Sequence, residues 1–322
     1  MHACIDLGSN SFHLLIGEWE DGRIQIIERL SEKVQLGENV GQSGRISPEA
    51  FERGLSCLHR FKLLMKQYPV NRYWALGTNT FRLAENSAEF IQAAKDKGID
   101  ISVITGTQEA VLIYAGVITT LPVSDSHRLI IDIGGGSTEI VIGKNHDRLL
   151  TESLTIGSVT WRDKFFGYSS APLPSLLDQM SDGVVAAHTV FDSIAPVVER
   201  SQWEEAFASS GTVKMLAFIC EAHGYGEKQI HLSALHALKQ DIAASIANHT
   251  PLLGLKERRR DLLLAGWCIL VALMEAYKIE TINFSATALR EGMLDFMAKN
   301  GKTFQAMESS ELPEVSFAKW VA

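Results

Sequence analysis

The chain has 322 residues, of which 46% are hydrophobic and 21% charged, and its formal net charge is −8. This composition is typical of a soluble globular protein and excludes general disorder, and the length accommodates two domains of ordinary size. The acidic balance argues against nucleic acid or an anionic membrane surface as a partner, because either would require a basic face. An anionic substrate would therefore need local positive groups or a metal ion.

The cysteines and the apolar runs predict a cytoplasmic protein. The four cysteines lie far apart and form no CxxC pair, which is typical of reduced core thiols. The longest apolar run, residues 262–274, is too short to span a bilayer and is predicted to form a buried helix. The chain starts directly with an apolar strand pattern, so no signal peptide is predicted.

The first predicted element is a hairpin in the stretch CIDLGSNSFHLLIG. Two strands flank a turn that follows Asp6 and contains Gly8, Ser9, Asn10 and Ser11. A glycine without a Cβ atom lets the backbone approach a ligand closely, and the hydroxyl groups can donate to an anion. The stretch therefore predicts a ligand-binding turn at the start of the chain.

A strand at residues 73–77 runs directly into TNTFR, which contains Thr80 and Arg82. Hydroxyl groups and a guanidinium at the C-terminal edge of a strand suit an anion, since open α/β sheets bind ligands at that edge. A surface arginine beside a helix is the alternative. We favour the functional interpretation of Arg82.

A strand at residues 99–105 leads through Gly106 into a helix that opens with TQEA. Glu109 falls in the first turn of this helix, where the helix dipole favours the ionised carboxylate. Position alone makes Glu109 either an ordinary first-turn acid or a general base that points into a cleft. Because acids are favoured in first turns generally, the ordinary interpretation is preferred at this point.

Residues 122–126 are short, polar and follow a helix, so they predict the crossing between two domains. The stretch LIIDIGGGSTEIVIG then predicts two strands joined by a tight turn. Gly134, Gly135 and Gly136 can take positive φ and lack a Cβ atom, so their N–H groups can converge on a phosphate.

The residues around these glycines extend the phosphate prediction. Ser137 and Thr138 add hydroxyl donors, while Asp132 and Glu139 can face a divalent cation or an attacking water. Dinucleotide and Walker loops require a helix after the turn, and the Walker loop also requires a lysine. A strand follows here instead, and a tight hairpin with no ligand remains the alternative.

The two hairpin stretches align without a gap. The alignment pairs Asp6 with Asp132, Gly8 with Gly134, Ser11 with Ser137 and Gly17 with Gly143. An internal repeat of this kind predicts two similar α/β halves, each with its own phosphate loop. A ligand held by both loops would lie between the halves.

The second half contains further turns next to predicted helices. GSVT at residues 157–160 opens a helix after a strand, and SSGT at residues 209–212 fits an anion site and a simple helix cap equally well. The basic run at residues 256–260 is predicted to be a solvated helix end. The sequence contains no HExxH or paired CxxC metal spacing and no GxSxG nucleophile elbow.

Taken together, the motifs resemble those of the exopolyphosphatase and guanosine pentaphosphate phosphatase (Ppx/GppA) family, a branch of the actin and sugar-kinase superfamily. The resemblance covers nearly the whole chain. Its blocks are IDLGSNSFHLLI, LGTNTFRLAEN, ITGTQEAVLIYAG, IIDIGGGSTEIVIG, IGSVTW, SSGTVK and FSATALREGML.

The resemblance implies an α/β fold of two ribonuclease-H-like domains, as in the actin-like ATPase superfamily, with a cleft between them. The expected domains are residues 1–124 and residues 125–300. Residues 301–322 form a tail that either packs back on the N-terminal domain or is disordered.

The resemblance also implies roles for individual residues. Glu109 becomes the catalytic base, and Arg82 joins it as a catalytic residue. Asp6, Asp132 and Glu139 are expected to bind Mg²⁺, with Mn²⁺ as the alternative ion. The expected phosphate-binding residues are Gly8, Ser9, Asn10, Ser11, Thr80, Gly134, Gly135, Gly136 and Ser137.

The implied activity is metal-dependent hydrolysis that releases terminal orthophosphate from inorganic polyphosphate, with guanosine pentaphosphate as the alternative substrate. An ATP-dependent kinase of the same superfamily would need a separate acceptor site. Longer relatives add C-terminal helical domains, so weaker binding of long polyphosphate is expected. The apolar final helices would serve either a homodimer interface or the core.

Two departures from the family pattern leave an alternative of another class open. Gln108 stands where many members carry a second acid, and Gln35 stands where an arginine is often found. A catalytically weak regulator that binds polyphosphate or nucleotide would tolerate both changes. Four acids count against that alternative: Asp6, Glu109, Asp132 and Glu139.

Overall fold

A computed structural model of the chain describes residues 1–20, 23–167, 171–298 and 312–318. The predicted turn at Asp21 and Gly22 lies outside the described residues. The chain forms two compact units, one of Met1–Pro122 with Thr287–Ala322 and one of Val123–Ala286. Each unit contains a six-stranded sheet with helices, which confirms the predicted α/β class.

The first unit is built around a mixed sheet. Its strands are β1 (His2–Leu7), β2 (Ser11–Glu20), β3 (Arg23–Lys33), β4 (Arg72–Gly77), β5 (Ile101–Val103) and β12 (Ser316–Phe317). Its helices are α1 (Val40–Ser43), α2 (Pro48–Met65), α3 (Asn79–Leu83), α4 (Ser87–Asp96), α5 (Gly106–Ile118) and α12 (Leu289–Ala298). The strand order is β3-β2-β1-β4, and both β5 and β12 pair with β4.

The second unit has a sheet of the order β8-β7-β6-β9-β11-β10. Its strands are β6 (Arg128–Ile133), β7 (Thr138–Lys144), β8 (Asp147–Leu154), β9 (Glu205–Ser209), β10 (Gln229–His231) and β11 (Thr281–Phe284). Its helices are α6 (Ser158–Phe165), α7 (Leu173–Phe191), α8 (Ala195–Arg200), α9 (Gly211–Ala222), α10 (Leu232–Ala247), α11 (Leu263–Ala276) and the 3₁₀ helix Glu257–Leu262.

The predicted internal repeat is present in the strand register. In each unit three consecutive antiparallel strands are followed by two strands that extend the sheet in parallel, and one further strand pairs antiparallel, as in the ribonuclease-H-like arrangement. Asp6 lies opposite His13 in the first hairpin, and Asp132 lies opposite Glu139 in the second. A register shift also recurs at matching positions, at Gly17 and at Gly143. The two stretches therefore fold as structural copies.

The helices form where capping and apolar spacing predict them. Ser47 caps α2, since its hydroxyl accepts a hydrogen bond from the Ala50 N–H group at 3.2 Å. The apolar run predicted as a buried helix forms α11, which is buried along residues 263–274 in the core of the second unit. Among the described helices, none combines the length and the apolar character that crossing a bilayer would require.

The last helix belongs to the first unit, although the sequence assigned residues 125–300 to the second domain. α12 packs closely on α5, because a Cβ atom on Gly116 would overlap the carbonyl oxygen of Ala288. A Cβ atom on Gly292 would likewise overlap the carbonyl oxygen of Leu112. From the tail, β12 pairs with β4 of the first unit, while residues 301–311 and 319–322 lie outside the described part of the chain.

Candidate active site

The turn between β1 and β2 is held by backbone hydrogen bonds to the segment after β3. The Asn10 carbonyl accepts from the N–H groups of Val34 at 3.1 Å and Gln35 at 2.8 Å. The Ser9 carbonyl accepts from the Gly37 N–H group at 2.8 Å. With its carbonyl groups engaged in this way, the turn has a defined conformation.

The predicted residues Ser9 and Thr80 are in direct contact. The Thr80 hydroxyl donates to the Ser9 hydroxyl at 2.8 Å, and both side chains are buried. A Cβ atom on Gly37 would fall 2.6 Å from the Thr80 hydroxyl, so only glycine leaves room for this contact. Asn10 donates to the Ser11 hydroxyl at 3.2 Å, and its buried Oδ1 atom has no hydrogen-bond partner among the described residues.

Arg82 and Glu109 form an ion pair in the same unit. Arg82 Nη1 donates to Glu109 Oε2 at 2.9 Å and to the carbonyl oxygen of Ile104 at 2.9 Å. The side chains are only 21% and 11% exposed. Thr105 caps α5, and Gln108 completes the capping box through its side chain. Gln108 therefore has a local structural role in ending the helix at its N-terminus.

The environment of Glu109 favours a general base. Burial raises the pKa of the Glu109 carboxyl, and the charge and hydrogen bond of Arg82 lower this pKa in part. A carboxylate with a raised pKa accepts a proton more readily near neutral pH, as general bases require. Glu109 thus differs from an ordinary exposed first-turn acid, because burial raises the proton affinity of its carboxylate.

The turn between β6 and β7 is held by the first turn of α6. The Gly134 carbonyl accepts from the Ser158 N–H group at 2.9 Å, and the Gly135 carbonyl accepts from the Val159 N–H group at 2.8 Å. Within the described part of the chain, the N–H groups of Gly135 and Gly136 make no backbone hydrogen bond. They can therefore donate to an anion, as the sequence predicts.

Gly134 is closely packed in this turn, and none of the three glycines of the turn has a positive φ. The chain takes positive φ at other glycines, such as Gly98 and Gly254, but not at Gly134, Gly135 or Gly136. The turn therefore does not use the positive φ that glycine permits. A Cβ atom on Gly134 would instead lie 3.0 Å from the Ser137 carbonyl oxygen, which is tighter than ordinary contact.

Gly157 is a site residue that the sequence marked only as the opening of a helix. A Cβ atom on Gly157 would overlap the Gly136 nitrogen and the carbonyl group of Gly135. The start of α6 and the turn after β6 therefore contact each other through backbone atoms, with no side chain between them. No local pattern indicates this contact, because the two segments are separated by two strands.

Two predicted metal ligands lie side by side on the second hairpin. Asp132 and Glu139 are opposite each other in the register, so their side chains share one face of the sheet. The Ser209 hydroxyl donates to Asp132 at 2.5 Å, and the Ser153 hydroxyl donates to Glu139 at 2.8 Å. In the residues that the structure covers, no group of three or more His, Cys, Asp or Glu side chains is arranged to hold a metal. Two carboxylates still suit Mg²⁺, which takes phosphate and water as its other ligands.

The turn at the start of α9 is both a helix cap and a positively charged site. The Ser210 hydroxyl accepts from the N–H groups of Thr212 and Val213, and Ser210 has a φ of 104°, which is strained for a residue with a side chain. The Arg259 guanidinium covers Gly211, since a Cβ atom there would lie 2.5 Å from Nη2. The sequence prediction of a solvated helix end is therefore wrong for Arg259.

Comparison with known proteins decides the family. A profile of the Ppx/GppA phosphatase family matches residues 15–300. The chain belongs to the Ppx/GppA phosphatase family. A guanosine-5′-triphosphate,3′-diphosphate pyrophosphatase of Pseudoalteromonas translucida is 39% identical to it over 296 residues, which cover 91% of this chain and 58% of that protein. A candidate exopolyphosphatase of Haemophilus influenzae is 33% identical over 310 residues, which cover 92% of this chain and 91% of that protein.

Solved Ppx/GppA structures share the fold. An exopolyphosphatase from Cytophaga hutchinsonii superposes with a TM-score of 0.80 at 27% identity, covering 94% of this chain and 99% of that one. A Ppx/GppA family member from Aquifex aeolicus superposes with a TM-score of 0.73 at 26% identity, covering 94% of this chain and 98% of that one. The chain thus spans nearly all of these solved proteins but less than two thirds of the first relative.

Proposed function

We propose that the protein hydrolyses the terminal phosphoanhydride bond of inorganic polyphosphate and releases orthophosphate. The observation that carries the proposal is Glu109, a buried carboxylate that Arg82 holds in place and whose pKa burial raises. The same unit presents the turn at Gly8–Asn10, and its repeat in the second unit presents free N–H groups. Family membership supports phosphatase chemistry at these residues.

In the proposed mechanism, Glu109 orients a water molecule and accepts its proton as the oxygen attacks the terminal phosphorus. The anhydride bond opposite the attacking oxygen breaks, and the shortened chain leaves. In each unit the N–H groups of its turn are donors for phosphate oxygens, and in the first unit the Arg82 guanidinium is a further donor. Positioning and charge stabilisation therefore provide most of the rate enhancement, because phosphoryl transfer requires little covalent chemistry from the protein.

We propose Mg²⁺, with Mn²⁺ as the alternative, as the metal ion. Asp132 and Glu139 would hold it on the second hairpin, and Asp6 is the carboxylate at the matching position of the first hairpin. When bound, such an ion neutralises the phosphate oxygens of the substrate. Hard carboxylate oxygens are the donors that Mg²⁺ prefers.

Guanosine pentaphosphate is the second candidate substrate. It carries the same kind of terminal anhydride, and the 39% identical relative is named for a guanosine nucleotide of this class. A regulator that binds these anions without efficient turnover is the alternative of another class. Phosphate-release and binding assays distinguish the two hydrolase candidates and the regulator from one another.

The test is phosphate release with Mg²⁺ from long polyphosphate, tripolyphosphate, guanosine pentaphosphate and ATP. Higher kcat/KM on polyphosphate than on the nucleotides is the expected result. Preference for guanosine pentaphosphate would make the second candidate primary. Tight binding of these anions without turnover of any would contradict hydrolysis and indicate a regulator.

Arg82→Met is expected to move the acidic limb of the kcat/KM profile to higher pH. Arg82 lowers the pKa of Glu109, so its removal lets burial raise that pKa further, and the base becomes deprotonated only at higher pH. The measurement is kcat/KM against pH on the best substrate. Arg82→Lys retains the charge and should shift the limb less.

Arg45→Met is the matched control for this pH experiment. Arg45 is half-exposed and pairs with Glu85 and Glu89 on the surface of the same unit. Its removal should leave the limb in place. An unshifted limb in Arg82→Met would show that Arg82 does not control the ionisation of the base.

A further inference from the structure

A buried guanidinium lies between two carboxylates in the second unit. Arg162 is 1% exposed, and its Nε and Nη2 atoms donate to Asp163 Oδ1 at 2.8 and 2.6 Å. Its Nη1 atom donates to Asp261 Oδ2 at 3.2 Å. Arg162 and Asp163 belong to α6, whereas Asp261 belongs to the 3₁₀ helix Glu257–Leu262. The cluster therefore joins two elements that are far apart in the chain.

Such a cluster determines geometry more than it contributes net stability. An arginine stays ionised in proteins, so the full cost of desolvating its charge offsets most of the attraction to the carboxylates. The planar guanidinium nevertheless fixes the direction of each hydrogen bond. The cluster therefore fixes the position of the 3₁₀ helix relative to α6 through the hydrogen bonds of Arg162.

Both joined elements carry parts of the anion-binding surface. The first turn of α6 holds the carbonyl groups of Gly134 and Gly135, which sets the direction of the N–H groups in that turn. The 3₁₀ helix carries Arg259, whose guanidinium covers Gly211 at the start of α9. Burial and the neighbouring Arg258 lower the pKa of Arg259, as expected where positive charges gather.

A further hydrogen bond connects the start of α9 to the start of α6. The Thr212 hydroxyl in the first turn of α9 donates to the Ser158 hydroxyl at the start of α6 at 3.1 Å. α6 thus contacts the turn after β6, the turn before α9 and, through Arg162, the element that carries Arg259. A displacement of Arg162 would be transmitted to both turns.

We propose that Arg162 is a positioning residue that sets the turn at Gly134–Gly136 and the Arg259 guanidinium for binding of substrate phosphate. Arg162 is too deeply buried to touch a substrate, so it acts through these groups. The inference rests on the proposed phosphohydrolase function. Its structural part can be tested without turnover.

The first test is amide hydrogen exchange in the intact protein, comparing Arg162→Met with Arg128→Met. Arg128 is the matched control, because it is also a buried arginine of the second unit that pairs with a carboxylate, Glu205, but it lies at the opposite end of β6 from the turn. Exchange across residues 158–160, whose N–H groups donate to the Gly134 and Gly135 carbonyls, and across residues 209–213 should be about 10-fold faster in Arg162→Met and nearly unchanged in Arg128→Met. Equal protection of these segments in both variants would overturn the proposal.

Asp261→Asn provides a milder variant if Arg162→Met does not fold. Asparagine keeps the size and one acceptor of the aspartate but removes its charge, so the pair with Arg162 weakens while the packing remains. The same two segments should then lose protection. Unchanged exchange in a folded Asp261→Asn protein would equally overturn the proposal.

The second test asks whether the cluster acts through Arg259. Asp261→Asn should raise KM about 10-fold, because the charge-assisted contact of Arg259 with substrate is weakened. The value of kcat should stay within about 2-fold, because Glu109 belongs to the other unit. In an Arg259→Met background, Asp261→Asn should change KM less than about 2-fold. Additive effects on KM would contradict action through Arg259. Failure of the wild-type protein to turn over any substrate would instead count against the proposed function, and the exchange experiment would still decide the role of Arg162.

Discussion

Glu109→Gln is expected to lower kcat on the preferred substrate by about 10²- to 10⁴-fold. Glutamine has the same shape and can still accept the hydrogen bond from Arg82 Nη1 through its amide oxygen, so α5 should keep its position. The amide cannot accept a proton from water, which removes the base and leaves phosphate binding in place. KM should therefore change little, and thermal unfolding should stay near that of the wild type. Steady-state kinetics and a melting curve together measure both effects.

The matched control is Glu49→Gln, which changes the first-turn glutamate of α2. Glu49 is exposed, so its replacement should alter neither kcat nor KM. The pair of variants separates a general base from an ordinary first-turn acid, the two interpretations that position alone leaves open for Glu109. Full activity in a folded Glu109→Gln protein would remove Glu109 from the mechanism.

Gly157→Ala is expected to reduce kcat/KM by about 10²-fold, because a displacement near 1 Å in a site of this kind has that effect. The added methyl group would overlap the backbone of Gly135 and Gly136, so the turn or the start of α6 must move. Backbone strain does not enter, since Gly157 has an extended φ of −154°. Overpacking of this kind should also lower the free energy of unfolding by about 1–3 kcal/mol.

Gly41→Ala is the control for Gly157→Ala, since a Cβ atom on Gly41 would meet no atom within 4 Å. Gly41 lies in α1, where alanine is the better helix former, so stability should stay the same or rise slightly. Activity should be unchanged. Wild-type kcat/KM in Gly157→Ala would show that the position of the Gly134–Gly136 turn does not matter for substrate binding.

Local sequence pattern predicted the two hairpins and their repeat correctly. An acid and glycine between two apolar runs define a strand, a tight turn and a returning strand within a few residues, so the register follows from neighbours in the chain. The recurrence of Asp6 opposite His13 and Asp132 opposite Glu139 confirms this prediction. The α2 cap at Ser47 is local in the same way.

Contacts between distant segments could not be predicted in this way. Arg259 stands next to other basic residues, and nothing near it in the chain indicates that it covers Gly211. The buried pair of Arg162 and Asp261 likewise joins segments that are 99 residues apart. In the sequence, Arg259, Arg162 and Asp261 cannot be distinguished from ordinary charged surface residues, because their partners depend on the packing of the second unit.

The sequence by itself determined the α/β class, the duplicated hairpins, the family and the candidate acids, because these depend on short patterns of apolar residues, glycines and carboxylates. Only the tertiary structure decided that α12 packs on α5 through Gly116 and Gly292, and that Gly157 approaches the turn after β6 as bare backbone. The physical reason is that close packing depends on which segments meet. Chain folding brings these segments together from remote positions, so no local pattern encodes the contact.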